Sequence, residues 1–109
     1  MKDREKIAKN LSSMSEFERD VLFATLDIPK GKVTTYKRLA AKVGRPNAYR
    51  AVGNALHKNP SPPIIPCHRV VRSDGRIVGD KVSERRKRLE EEGIPLIGNR
   101  VKLGEDILF

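Results

Sequence analysis

The chain holds one cysteine, two histidines and no tryptophan in 109 residues, and aromatic residues make up only 5% of it. A single cysteine excludes an intramolecular disulfide framework. One Cys and two His also fall short of the four ligands a structural zinc site takes, so no metal is expected. No apolar run approaches the roughly 20 residues of a membrane-spanning helix. The first 14 residues are polar and charged rather than signal-like, so an intracellular protein without membrane contact is expected. A further absence is positional: no Asp or Glu occurs from Ile28 to Ser73. That stretch holds Lys30, Lys32, Lys37, Arg38, Lys42, Arg45, Arg50, Lys58, Arg69 and Arg72. The whole chain carries 23 Lys and Arg against 14 Asp and Glu, a net charge of +9. A basic surface without counter-charges suits a polyphosphate partner; the alternative is ordinary solubility charge.

What is present fits one small domain, with residues 1–14 as a charged N-terminal lead and 15–109 as the folded unit. Residues 1–12 read as a charged lead or a short helix. Ser15 and Glu18 fit a capping box ahead of a helix over about Glu16 to Leu26. Its core candidates are Phe17, Val21, Leu22 and Phe23, and Pro29 ends it. Thr34 or Thr35 can cap a second helix, about Tyr36 to Val43, closed by Gly44. After Arg45-Pro46, Asn47 can cap a third helix, about Ala48 to His57. There Ala48, Ala51, Val52, Ala55 and Leu56 form one apolar stripe, and Arg50, Asn54 and His57 share another face. His57 reads as a surface residue without a role.

Two short helices about a tight Gly-containing turn form the helix-turn-helix pattern, although many helical hairpins share that spacing. Here the pair lies wholly inside the acid-free stretch. The run Asn59-Pro60-Ser61-Pro62-Pro63 cannot continue a helix and makes a stiff connector, after which Ile64-Ile65 is expected to enter the core. A turn at Ser73-Asp74-Gly75 leads to a short strand over Arg76-Ile77-Val78. Ser83 to Glu92 reads as a charged surface helix stopped by Gly93, with Leu89 its one strongly apolar residue. Ile94–Ile97 and Arg100–Leu103 frame a hairpin about Gly98-Asn99.

The only thiol lies in Pro66-Cys67-His68-Arg69. A lone cysteine is often inert packing. Here a histidine is adjacent, the preceding connector is rigid, and the surroundings are positive, a setting that favours thiolate chemistry. The hexapeptide Pro66-Cys67-His68-Arg69-Val70-Val71 resembles the active-site signature of the O6-alkylguanine-DNA alkyltransferases, also called methylated-DNA–protein-cysteine methyltransferases. The resemblance extends to Gly31-Lys32-Val33-Thr34-Thr35-Tyr36, to Arg50-Ala51-Val52-Gly53 and to Asn59-Pro60, and it covers roughly residues 15–79.

That resemblance implies a mainly α fold with a small β element: a helix-turn-helix, winged-helix-like alkyltransferase C-terminal domain. It implies transfer of an alkyl group from O6-alkylguanine in duplex DNA to Cys67, in one irreversible displacement and without a cofactor. His68 would activate Cys67 through a water, and Glu92 would orient His68. Arg50 would enter the duplex and fill the space of the flipped guanine. Tyr36 would push the 3′ phosphate and protonate the departing base. Asn59 would brace the turn carrying Cys67, with Pro66 beside it, and Val70 would offer backbone contacts to guanine. Thr35, Lys37, Asn47, Ala48, Gly53 and Arg69 would contact DNA through the minor groove, an approach suited to inspecting any sequence. A monomer, cytoplasmic or nucleoid-associated, follows from the same likeness.

The chain departs from the family pattern after Gly79. The usual active-site loop is short, and Lys81 stands where an aromatic is expected. Tyr49 replaces a small residue beside Arg50. The tail from Ser83 to Phe109 is similar to that of alkyltransferase-like proteins, which bind alkylated guanine without transfer and are linked to nucleotide excision repair proteins.

Overall fold

The computed structural model describes residues 11–60 and 62–109; the expected lead therefore lies largely outside the described residues. Helix α1 spans Glu16–Leu26. Its start is fixed by the reciprocal bonds of the capping box: Glu18 N donates to Ser15 Oγ, and Ser15 N donates to Glu18 Oε1. Strand β1, Thr34–Thr35, runs directly into α2, Tyr36–Lys42. Of the two candidate caps it is Thr35 that serves, accepting from Arg38 N. Gly44 closes this helix at φ +81°, in the left-handed region open to glycine.

Helix α3 spans Tyr49–His57. Its cap is Ala48 without a side-chain bond, not Asn47, because the Ala48 N to Arg45 O bond carries the turn one residue further. The apolar stripe is narrower than expected. Val52, Ala55 and Leu56 are buried, whereas Ala51 faces out. Helices α1, α2 and α3 pack together around these residues, with Leu11, Ile28, Ile65 and Val70 joining the same core. Ile64, expected inside with Ile65, is 56% exposed. The chain alternates there, and one side chain of the pair satisfies the core.

A 3-10 turn, Cys67–Arg69, leads into β2, Val70–Val71, which pairs parallel with β1 (Thr34 with Val70, Thr35 with Val71). Helix α4 spans Val82–Glu91 and buries Leu89 in a second cluster with Val33, Val71, Ile77, Ile94 and Val101. Strands β3 (Leu96–Ile97) and β4 (Arg100–Val101) form the hairpin expected about Gly98-Asn99. The strand expected over Arg76–Val78 is reduced to one bridge, Arg76 with Arg100. The chain end adds a contact the sequence did not announce. Val33 N donates to Ile107 O, and Phe109 N donates to Val33 O.

Candidate active site and nucleic-acid face

Cys67 is half-buried at the wall of an open pocket of about 200 Å3, formed among others by Asn59, Pro63, His68, Lys81 and Arg85. The approach to the cysteine is held from the main chain. Asn59 Nδ2 donates to Ile65 O at 2.8 Å, and Cys67 N donates to the same carbonyl at 2.8 Å. Pro66 is buried between them in sequence, and Val70 is buried in register with Thr34.

His68 is buried and its Nε2–H donates to Glu92 Oε2 at 2.9 Å. The carboxylate accepts only, so the bond places the proton on Nε2 and leaves Nδ1 as the basic nitrogen. Arg69 grips the same carboxylate as a fork: Nε donates to Oε1 at 2.9 Å and Nη2 to Oε2 at 2.7 Å. Its remaining Nη1 donates to Ile28 O at 2.7 Å. Arg69 thus turns inward and is not available to a phosphate, contrary to expectation; its charge balances the half-buried Glu92.

Burial holds the His68 imidazole below its usual pKa; the Glu92 hydrogen bond and charge oppose the shift, and Arg69 and Arg88 reinforce it. Burial pushes the Glu92 carboxyl up, yet the hydrogen bonds from Arg69 and His68 outweigh it and the net shift is down. The pair is therefore a neutral imidazole on a carboxylate anion at neutral pH. Burial raises Tyr36; the Arg85 charge opposes this, the negative charge Cys67 can carry adds to it, and Arg72 opposes it. The Tyr36 hydroxyl therefore keeps its proton and lies within electrostatic reach of the thiol.

The expected DNA side gathers on α2 and α3. Arg50, Lys37 and Asn47 are exposed, Ala48 is half-buried, and Gly53 lies against the Tyr36 ring, where an added Cβ would sit 3.9 Å from Cε1. Among the described residues Arg50 has no hydrogen-bond or ion-pair partner. Thr35 departs from expectation: it is 6% exposed and its hydroxyl is spent capping α2. Sequence reasoning also passed over two pocket residues. His57 lines the pocket, with Nδ1 3.6 Å from Asp80 Oδ2. Arg85 donates through Nη1 to Cys67 O at 3.2 Å and through Nε to Asp80 O at 3.0 Å. No local signal separates Arg85 from its neighbours on a charged helix. Among the described residues no group of three His, Cys, Asp or Glu side chains could hold a metal, and no helix is long and apolar enough to cross a membrane.

Comparison with known proteins places the chain in a family. Residues 16–94 match the family described as 6-O-methylguanine DNA methyltransferase, DNA binding domain. A methylated-DNA–protein-cysteine methyltransferase of Methanosarcina barkeri is 49% identical over 65 residues, 60% of this chain and 41% of that one. Its counterpart in Rattus norvegicus is 47% identical over 83 residues, 72% of this chain and 40% of the relative. The chain thus spans about two fifths of the length of these curated relatives. Among solved structures, S. pombe Atl1 in complex with damaged DNA containing O6-carboxymethylguanine superposes with a TM-score of 0.76 at 34% identity, covering 88% of this chain and 96% of Atl1. Mycobacterium tuberculosis OGT in complex with DNA superposes at 0.70 with 39% identity, over 72% of this chain and 50% of OGT. By sequence and by its mainly α, helix-turn-helix architecture, the chain belongs to the 6-O-methylguanine DNA methyltransferase family, whose DNA-binding domain it carries.

Proposed function

We propose that the chain repairs duplex DNA by moving an alkyl group from the O6 position of guanine to Cys67, once per molecule. The observation that carries this reading is the Cys67 pocket backed by a His68–Glu92 pair that Arg69 locks in place. Neutral His68, with Nε2 committed to Glu92, takes the thiol proton at Nδ1 through a water. A sulfur lone pair forms the S–C bond while the C–O6 bond breaks, its electrons remaining on the base. Tyr36 gives that base a proton and regains one from the imidazolium side, so thiol plus O6-alkylguanine becomes thioether plus guanine. The adduct lies inside the base stack, so the nucleotide must first be flipped out. Arg50, exposed and unpartnered on α3, takes the vacated place, with Lys37, Asn47, Ala48 and Gly53 lining the duplex. Asn59 and Pro66 fix the turn, and Val70 offers its main chain to the base. Residues 15–109 act as one domain, monomeric and inside the cell at the nucleoid or in the cytoplasm, with Leu11 of the lead anchored in its core.

The test is intact-protein mass spectrometry after incubation with a duplex holding one O6-methylguanine, beside plain duplex. One methyl per chain, mapped to Cys67, is expected. Cys67→Ser should gain none while binding the lesion duplex within about threefold of the parent. No gain by the parent protein would refute transfer. A second reading has one specific observation behind it. The match to Atl1 runs nearly the full length of both chains, whereas the curated methyltransferases are far longer. On that reading the protein flags O6-alkylguanine without transfer and hands it to nucleotide excision repair proteins; preferential lesion binding with no mass gain distinguishes it.

A further inference from the structure

Helix α4 carries three arginines in four residues, and they are used differently. Arg86 pairs with Glu90 at 2.9 Å and Arg88 with Glu84 at 3.1 Å, both one turn apart along the helix. Arg85, Glu84 and Arg88 all line the Cys67 pocket, where Arg88 is paired with Glu84 and Arg85 is half-buried. Among the described residues it has no carboxylate partner; its side chain donates only to the carbonyls of Cys67 and Asp80. Its own backbone N donates to Lys81 O, the residue that opens α4 in the left-handed region at φ 59°. The guanidinium charge is also felt by the Tyr36 hydroxyl, whose side chain lines a neighbouring hollow with Lys37, Tyr49 and Arg72.

We infer that Arg85 is the positioning residue of this site: its fork ties the Cys67 main chain to the short 79–81 connection, and its unpaired charge faces the reacting atoms. The inference rests on the reading of Cys67 as the alkyl acceptor. The bonding changes of transfer explain why such a cation belongs there. Negative charge gathers first on sulfur and then on the departing guanine, and a fixed cation near both stabilises the path between them without reorganising. The two carbonyl bonds need two donors held in a plane, which guanidinium supplies and ammonium does not. The connection is too short to fold over the site as a lid, so a side chain from the following helix holds it instead.

The experiment compares Arg85→Ala, Arg85→Lys and Arg85→Gln with Lys87→Ala, which removes the same charge from the exposed side of α4. Three quantities are measured: the single-turnover methyl-transfer rate constant, the Kd for lesion duplex in a Cys67→Ser background, and the rate of Cys67 carboxamidomethylation by iodoacetamide at pH 7.5. Expected for Arg85→Ala is a transfer rate lower by about tenfold or more, less than the roughly hundredfold or more of a donor bonded directly to the developing charge because Arg85 bonds the main chain, with Kd changed less than about threefold. Arg85→Lys should recover part of the rate, and Arg85→Gln less, since it keeps donors without charge. Carboxamidomethylation should slow in the same order, and Lys87→Ala should match the parent throughout. Equal transfer rates for Arg85→Ala and the parent would overturn the inference, as would a loss carried wholly by Kd. If the parent transfers nothing, the proposed function fails, and the iodoacetamide series still decides whether Arg85 acts on Cys67: the same order supports it, and equal rates refute it.

Discussion

Replacing Glu92 by Gln tests the centre of the site most directly. The carboxylate accepts three hydrogen bonds, one from His68 and two from Arg69, and its side chain is only 11% exposed. The amide is nearly the same size but carries no charge and turns an NH2 toward one of two donors. Arg69, 15% exposed, would be left as a mostly buried cation facing a neutral group. Breaking a buried pair on one side costs about 3–5 kcal/mol. The residual exposure of Arg69 and its retained bond to Ile28 O argue for the lower end, about 3 kcal/mol. For a domain of this size that is a fall in Tm of roughly 12–20 °C. Urea unfolding at pH 7.5, with thermal unfolding beside it, reads the loss. The pH dependence supplies an independent check. Both His68 and Glu92 are shifted down in the fold. Each therefore contributes stability above its unfolded value, lost as pH falls: His68 from about 6.5 downward, Glu92 from about 4.5 downward. The parent should lose stability in both windows, and Glu92→Gln should lose less in the lower one, where Glu18 and Asp74, also shifted down, still contribute. A variant within about 1 kcal/mol of the parent would refute the argument that this carboxylate balances buried charge.

The transfer rate should rise with pH through a midpoint below 6.5, as His68 loses its proton; stopped reactions with an O6-methylguanine duplex measure it, and a midpoint above 6.5 would remove His68 as the base. Arg50→Ala should weaken binding to lesion duplex by about tenfold more than binding to plain duplex, because an intercalating side chain acts only on the flipped state; equal losses in a fluorescence titration would make it a phosphate contact. Gly75→Ala should cost about 2–3 kcal/mol or more, since the position has φ +90° and its Cβ would stand 2.3 Å from Val101 O, a backbone atom that cannot rotate away. A Tm unchanged by that substitution would contradict the packing of the Arg76 turn against the hairpin.

Local chemistry made the helices legible. The Ser15–Glu18 box, Thr35, Gly44 and the Gly98-Asn99 turn each act over three or four residues, so a linear reading finds them. The active-site motif was legible for another reason: Cys67, His68 and Arg69 are contiguous, and the family resemblance supplied Glu92 as their distant partner. What escaped notice depends on tertiary placement. Arg69 looks like one more basic residue until Glu92 and Ile28 are brought beside it. Thr35 was legible as a cap, but not that its burial at 6% exposed would withdraw it from the DNA side. Nothing in Arg85-Arg86-Lys87-Arg88 says that Arg85 and Arg88 line the Cys67 pocket while Arg86 pairs with Glu90, because that depends on how the helix packs against the 3-10 turn. The docking of Ile107 to Phe109 on Val33 spans some seventy positions and leaves no local trace.

The two rungs that join Thr34 to Val70 and Thr35 to Val71 have a mechanical consequence. One strand ends at Thr35, immediately before the helix pair of the proposed DNA face; the other starts three residues after Cys67. The ladder therefore works as a strut of fixed length between the part that grips and the part that reacts. On the proposed function, when the helices settle on a duplex the ladder sets the height and angle of the sulfur above it. The work of closing the remaining distance falls on the nucleic acid, whose base must swing out to the protein. On that reading, reaction selects bases whose pairing is already weak, and a sound pair is spared because it does not make the journey.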